Sequence, residues 1–130
     1  MLHHLSFAVT DLERSAAFYD ATLSTLGYLR VWSDQTAVGY GLPGGGDKFA
    51  IKLRASHVAA PGEGFHVAFA APSRQAVAAF YQAALQHKGS DNGGSGLHPE
   101  YGENYFAAFV IDPDGYRIEA VINNSAIPHP

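Results

Sequence analysis

Two histidines and one glutamate occupy comparable places in short segments that alternate between apolar and other residues. His4 opens "HLSFAV", His66 opens "HVAFAA", and Glu119 lies within "YRIEAV". This period-two alternation predicts strands whose side chains point to two opposite faces in turn. Two imidazoles and one carboxylate on a common face are a donor set suited to a divalent transition metal, with open positions left for substrate. The chain contains no cysteine, which excludes thiolate ligands and thiol nucleophiles.

The parity of each predicted strand decides which of these groups share a face. In "LSFAV" the bulky apolar residues define the face that packs against a helix, so His4 lies on the other face. The same argument places His66 and Glu119 opposite the apolar faces of their own strands. Lys52, in "FAIKL", also lies opposite an apolar face. If the two halves of the chain pair around a pseudo-two-fold axis, these four side chains converge.

The chain repeats itself at a shift of 62 residues. Residues 4–27, "HLSFAVTDLERSAAFYDATLSTLG", align without a gap on residues 66–89, "HVAFAAPSRQAVAAFYQAALQHKG". The identical pairs include His4/His66, Phe7/Phe69, Ala8/Ala70, Ala17/Ala79, Phe18/Phe80, Tyr19/Tyr81, Ala21/Ala83, Leu23/Leu85 and Gly27/Gly89. Agreement of this kind indicates two copies of one supersecondary unit.

The pattern of each copy predicts a βαβββ unit. Apolar residues at helical spacing predict helices over about 12–26 and 73–88, with Thr10 or Asp11 and then Ser73 as N-caps and with Gly27 and Gly89 as C-terminal caps. The further strands are predicted at about 28–33, 36–41, 48–54, 94–99, 104–111 and 116–122. The segment "DPDG" at 112–115 predicts the hairpin turn between the last two strands.

These elements predict an α+β fold in which two tandem βαβββ modules form an open, mixed-sheet half-barrel with helices outside. We expect one domain over 1–130, with module one at about 1–54, a linker at 55–64, module two at about 65–122 and a tail at 123–130. A length of 130 residues and a hydrophobic fraction of 47% allow one well-packed core.

Composition also limits the expected partners and location. The net charge is −4 without a basic block, which argues against nucleic acid and anionic membranes as partners. No apolar run reaches the roughly 18 residues of a membrane span, and the N-terminal segment lacks the features of a signal peptide. We therefore expect a cytoplasmic protein with a small-molecule substrate or ligand.

At this point the sequence resembles the vicinal oxygen chelate superfamily, which comprises glyoxalases, bleomycin resistance proteins and extradiol dioxygenases. The resemblance rests on "HHLSFAVTDLERSAAFY", on "FHVAFA" and on "FVIDPDGYRIEAV", and it covers nearly the whole chain. It implies that His4, His66 and Glu119 bind a divalent metal ion, which could be Zn, Mn, Fe, Co or Ni. It also implies a homodimer.

The resemblance further implies a metal-dependent enzyme of the lactoylglutathione lyase type, a lyase or isomerase that chelates two oxygens of a small oxygenated metabolite. Glyoxalases of this superfamily carry a fourth ligand, a glutamate, where this chain has Lys52, which argues against a glutathione-dependent substrate. Lys52 and Glu119 are the expected catalytic residues. The residues expected to bind substrate are Lys52, Arg54, Tyr101 and Tyr105.

Two other functions remain open from the sequence. One is a metal-free protein that sequesters a small molecule, as bleomycin resistance proteins do, and the other is a transferase of the fosfomycin resistance type. In the metal-free alternative Lys52 would pair with Glu119 and replace the ion. A direct contact between these two side chains would therefore favour the binding protein, and their separation would favour the enzyme.

Overall fold

The computed structural model describes residues 1–54 and 60–124, and in these ranges the two predicted modules are present. Module one contains β1 (Leu5–Val9), α1 (Leu12–Ser24), β2 (Leu29–Ser33), β3 (Ala37–Gly41) and β4 (Phe49–Leu53). Module two contains β5 (Val67–Ala70), α2 (Arg74–Gln86), β6 (Ser90–Asp91), β7 (Gly96–Leu97), β8 (Tyr105–Ile111) and β9 (Arg117–Asn123). The expected α+β class is confirmed, and module two has one strand more than the predicted βαβββ unit, since β6 and β7 replace the single strand expected at about 94–99. Part of the predicted linker, 55–59, and most of the predicted tail lie outside the described residues.

The strands of the two modules form two mixed sheets. In module one the order is β1-β4-β3-β2, with β1 and β4 parallel and the other neighbours antiparallel. In module two the order is β5-β9-β8-β6, with β7 also paired to β8, and β5 and β9 are the parallel pair. The first and last strands of each module are therefore neighbours, which brings the beginning and end of each repeat together.

One hydrophobic core joins the two modules. Helix α1 packs against β4 and α2, and α2 also packs against β8 and β9. Phe7 of β1 stacks on Tyr116, which precedes β9, with ring centroids 4.0 Å apart, and Phe49 of β4 meets Phe69 of β5 at 5.3 Å. The alternation read from the sequence thus assigns the core-facing residues correctly. We call the opposite side of each sheet its open face.

The helix starts match the predicted caps. The Asp11 side chain accepts a hydrogen bond from the backbone of Arg14 at 3.1 Å, and Ser73 accepts one from Ala76 at 3.0 Å. At the end of α2 the prediction is wrong, because Lys88, not Gly89, has the left-handed conformation, with φ 74°. Neither helix exceeds 13 residues, and within the described ranges no helix could cross a membrane.

Candidate functional site

His66 and Glu119 meet on the open face of module two. Strand pairing places Ala68 of β5 directly beside Glu119 of β9, and His66 precedes β5 on the same side. The His66 Nε2 atom lies 3.0 Å from Oε1 of Glu119. The two predicted ligands from module two are therefore brought together, by the parallel pairing of the first and last strands of that module.

The two members of this pair differ sharply in exposure. The side chain of Glu119 is 1% exposed, whereas that of His66 is 54% exposed. A buried carboxylate is unfavourable unless both of its oxygens have partners. Here Oε1 faces His66, and Oε2 accepts a hydrogen bond from the hydroxyl of Tyr105. The carboxylate is thus held by one partner on each oxygen.

Tyr105 belongs to an aromatic group that borders the pair. Its ring meets Tyr101 edge to face at 5.3 Å, and His98 lies 6.0 Å from Tyr101 and 5.2 Å from Phe109 between ring centroids. Burial, followed by the hydrogen bond to Glu119, raises the pKa of Tyr105 to about 12, so the phenol remains a donor at neutral pH. His98 is not among the site residues predicted from the sequence, and Tyr105 was predicted only to bind substrate.

His4, the ligand predicted from module one, is not grouped with His66 and Glu119 in the described part of the chain. It precedes β1, is exposed, and has its Nδ1 2.8 Å from Nδ1 of His3. It lines a groove with Ala68 of β5, but among the described residues no third histidine or acidic side chain joins His66 and Glu119 in a potential metal site. The structure brings together two of the three predicted ligands within one chain.

His66 and Glu119 carry donor atoms that suit two of the ligand positions of a divalent ion. An imidazole nitrogen and a carboxylate oxygen each bind such ions at about 2.1 Å. Two neighbouring ligands on one ion are then about 3.0 Å apart in octahedral geometry and about 3.4 Å apart in tetrahedral geometry, and Nε2 and Oε1 lie 3.0 Å apart. The partly exposed imidazole leaves this side of the pair accessible. The described residues around His66 and Glu119 supply no third protein ligand.

The predicted cations lie on module one. Lys52 of β4 is half-buried on the open face, beside Ala8 of β1 and Ala37 of β3. No ion pair joins it to Glu119, or to another carboxylate, in the part of the chain that the structure describes. Arg54 is exposed and donates a hydrogen bond to the carbonyl of Leu53. Tyr101 is also exposed.

The "DPDG" turn positions Glu119 by fixing the register of the last hairpin. Ile111 pairs with Arg117 across the turn, which sets Phe109 opposite Glu119 further along the strands. Gly115 has a φ of +96°, as the turn prediction requires. The turn is anchored to module one, since Asp112 accepts a hydrogen bond from Tyr19, and Asp114 pairs with Arg14 at 2.9 Å.

With the geometry described, comparison with known families is informative. The sequence model of the Glyoxalase/Bleomycin resistance protein/Dioxygenase superfamily matches residues 1–120. The chain belongs to this superfamily. Its α+β fold, with a four-stranded and a five-stranded sheet, agrees with that assignment. Comparison with curated proteins gives no match.

Solved structures support the same conclusion. A glyoxalase/bleomycin resistance protein from Albidiferax ferrireducens is 30% identical, with a TM-score of 0.79 over 93% of this chain and 97% of that chain. A glyoxalase-related enzyme from Fulvimarina pelagi is 21% identical, with a TM-score of 0.70 over 92% and 86% of the two chains. The fosfomycin resistance protein FosX from Mesorhizobium loti is 15% identical, with a TM-score of 0.68 over 95% and 92%. The last two likenesses concern the fold alone.

Proposed function

We propose that this chain is a glyoxalase-like metalloenzyme of the lyase or isomerase type that acts on a small oxygenated metabolite. The observation that carries the proposal is the 3.0 Å approach of His66 Nε2 to Oε1 of the buried Glu119. These residues would hold a divalent ion such as Zn, Mn, Fe, Co or Ni. Such an ion, if bound, would supply Lewis acid chemistry towards a small oxygenated substrate.

We propose His4 as the third ligand, supplied by a second copy of the chain in a homodimer. Within one chain, His4 contacts His3 and is not grouped with His66 and Glu119. Both β1 and β5 lie at the ends of their sheets, so among the described residues one edge of each strand is not paired with another strand. A dimer that brings β1 of one copy to β5 of the other would complete the ligand set.

The position of Lys52 favours an enzyme over a metal-free binding protein. In the metal-free alternative the sequence predicts an ion pair between Lys52 and Glu119, and the described residues contain no such ion pair. Glu119 is instead held by His66 and Tyr105. We propose that Lys52 stabilises negative charge that develops on the substrate, and that Arg54 and Tyr101 contact the substrate from the rim.

Metal content tests the ligand assignment directly. Protein purified without an affinity tag or chelator is analysed by plasma mass spectrometry, as the parent chain and as Glu119→Gln. Glu100→Gln is the matched control, because Glu100 also lies near a histidine, 3.5 Å from His98, but its side chain is 60% exposed. We expect one ion per chain in the parent and in Glu100→Gln, and a loss in Glu119→Gln.

Absence of metal from all three proteins, even after Mn, Fe, Co, Ni or Zn is added, would overturn the enzyme proposal. Equal metal content in the parent and in Glu119→Gln would reject the assigned ligand. Once the ion is identified, the loaded parent and Lys52→Met are assayed with a series of α-hydroxycarbonyl compounds. We expect turnover by the parent and a fall in kcat for the Lys52 variant at unchanged metal content.

Mixed dimers test whether His4 comes from a second copy. His4→Ala and Glu119→Gln chains carry two different affinity tags that lack histidine, and dimers containing one of each are isolated by both tags. If the site forms between chains, one of the two sites in the mixed dimer is intact, and half of the parental metal content returns. If the site forms within one chain, neither site is intact and no metal returns.

A further inference from the structure

Tyr105 reaches Glu119 along the open face of the sheet and not across a strand pair. Tyr105 pairs with Asn123, while Glu119 pairs with Phe109, four residues further along β8. Four residues span about 13 Å in a strand, so the two long side chains must lean towards each other to form their hydrogen bond. The residues between them on the same face are Ala107 of β8 and its partner Val121 of β9.

A small side chain at position 107 makes this contact possible. Ala107 faces the same side as Tyr105 and Phe109, and it is 0% exposed even though it lies on the open face. A larger residue would fill the space that the tyrosine side chain crosses on its way to Glu119. The ring of Tyr105 is further supported by its edge-to-face contact with Tyr101. The hydroxyl of Tyr105 is therefore directed at one oxygen of Glu119 by packing.

The hydrogen bond from Tyr105 determines which oxygen of the Glu119 carboxylate remains free. Because Oε2 is occupied by the Tyr105 hydroxyl, only Oε1 is presented to His66. His66 is more than half exposed and gives little restraint of its own. Glu119 is the better restrained member of the pair, because Tyr105 holds it at Oε2, the oxygen that does not face His66. Groups that orient a metal ligand in this way typically change metal affinity by about 10- to 100-fold.

We infer that Tyr105 is a positioning residue, which holds Glu119 by Oε2 so that Oε1 alone faces His66 and an ion bound there. The inference rests on the proposed metal site and adds a role to Tyr105 that differs from contact with substrate. A residue that only bound substrate would change the KM of the enzyme and leave its affinity for metal unaltered. A positioning residue changes the affinity for metal in the absence of any substrate.

Tyr105→Phe tests the inference, because it removes the hydroxyl and keeps the ring. Tyr81→Phe is the matched control, since it also removes a phenol hydroxyl that donates to a carboxylate, that of Asp91 at 2.9 Å, and not to Glu119. The metal-stripped parent, the two variants and Glu119→Gln are titrated with Co²⁺, with visible absorption as the readout and thermal unfolding as a check of folding. We expect Kd for Co²⁺ to rise by about 10- to 100-fold in Tyr105→Phe and to stay within about two-fold of the parent in Tyr81→Phe.

Crystal structures of the parent and Tyr105→Phe provide a readout that does not depend on metal. We expect Glu119 to rotate in the variant, so that Oε1 no longer lies 3.0 Å from His66 Nε2. A parental Kd and an unmoved Glu119 in Tyr105→Phe, with loss of binding in Glu119→Gln, would overturn the positioning role and leave the metal site intact. Equal binding by the parent and Glu119→Gln would overturn the metal site and the positioning role with it.

Discussion

Asp112 gives the most quantitative prediction, because this carboxylate is buried where the last hairpin joins module one. It is 3% exposed, it accepts backbone hydrogen bonds from Asp114 and Tyr116 at 2.9 Å, and it accepts the hydroxyl of Tyr19. Burial is the largest influence and raises its pKa from 3.8 to about 6, while the hydrogen bonds act in the opposite direction. The same burial, with Asp112 as neighbour, raises the pKa of Tyr19 well above 10.0, so Tyr19 remains a donor.

The raised pKa makes the free energy of unfolding depend on pH. Since the folded protein binds this proton more tightly than the unfolded chain, the stabilisation is complete below about pH 4 and is lost as the pH rises through about 6. A difference of about two pKa units corresponds to about 3 kcal/mol in total. Between about pH 4.5 and about pH 7.5 the parent should lose about 2 kcal/mol from this group.

Asp112→Asn removes the titration while keeping the shape of the side chain. Urea unfolding of the parent and the variant at several pH values gives the difference between their free energies of unfolding, in which the other titrating groups cancel. We expect the variant to gain about 2 kcal/mol relative to the parent from about pH 4.5 to about pH 7.5. The exposed Glu103→Gln, which makes the same change in charge, should show no such trend. A difference that is constant, or that changes in the opposite direction, would refute the assignment.

Three further substitutions test packing and capping. Gly89→Ala should destabilise the fold by about 1–3 kcal/mol in urea unfolding, because a Cβ there would lie 2.7 Å from the ring of Phe18. Gly39→Ala should displace the indole of Trp32, whose Nε1 would lie 2.3 Å from the new Cβ, and the emission of this single tryptophan should shift to longer wavelength. Ser73→Ala should cost about 1 kcal/mol, since it removes the N-cap of α2.

Matched controls accompany these substitutions. Gly46→Ala places a Cβ where no atom lies within 4 Å, and Ser95→Ala changes an exposed serine outside the helix caps. Both should unfold within about 0.5 kcal/mol of the parent. Parental stability in Gly89→Ala or Ser73→Ala would contradict the packing or capping argument, and unchanged emission in Gly39→Ala would contradict the contact with Trp32.

The sequence was informative about the site wherever the relevant geometry is local. Strand alternation placed His66 and Glu119 on the open face, because side chains in a strand point to the two faces in turn. The "DPDG" turn fixed the pairing of β8 with β9, and from that register the positions of Phe109 and Glu119 follow. The sequence did not predict that the side chain of Tyr105 leans past Ala107 to reach Glu119. This contact depends on side-chain packing across several residue pairs.

The sequence by itself determined the repeat, the division into two modules that each begin with a strand and a helix, the core-facing residues and the membership of His66 and Glu119 in one face. These features depend on periodicity and on short-range turn and cap chemistry, which each segment carries in its own residues. Only the tertiary structure decided that His66 and Glu119 touch, that Tyr105 holds the second carboxylate oxygen, and that His4 and Lys52 stand apart from that pair. The separation depends on how two packed modules are oriented, and that orientation is set by the shared core around α1 and α2, which no single segment specifies.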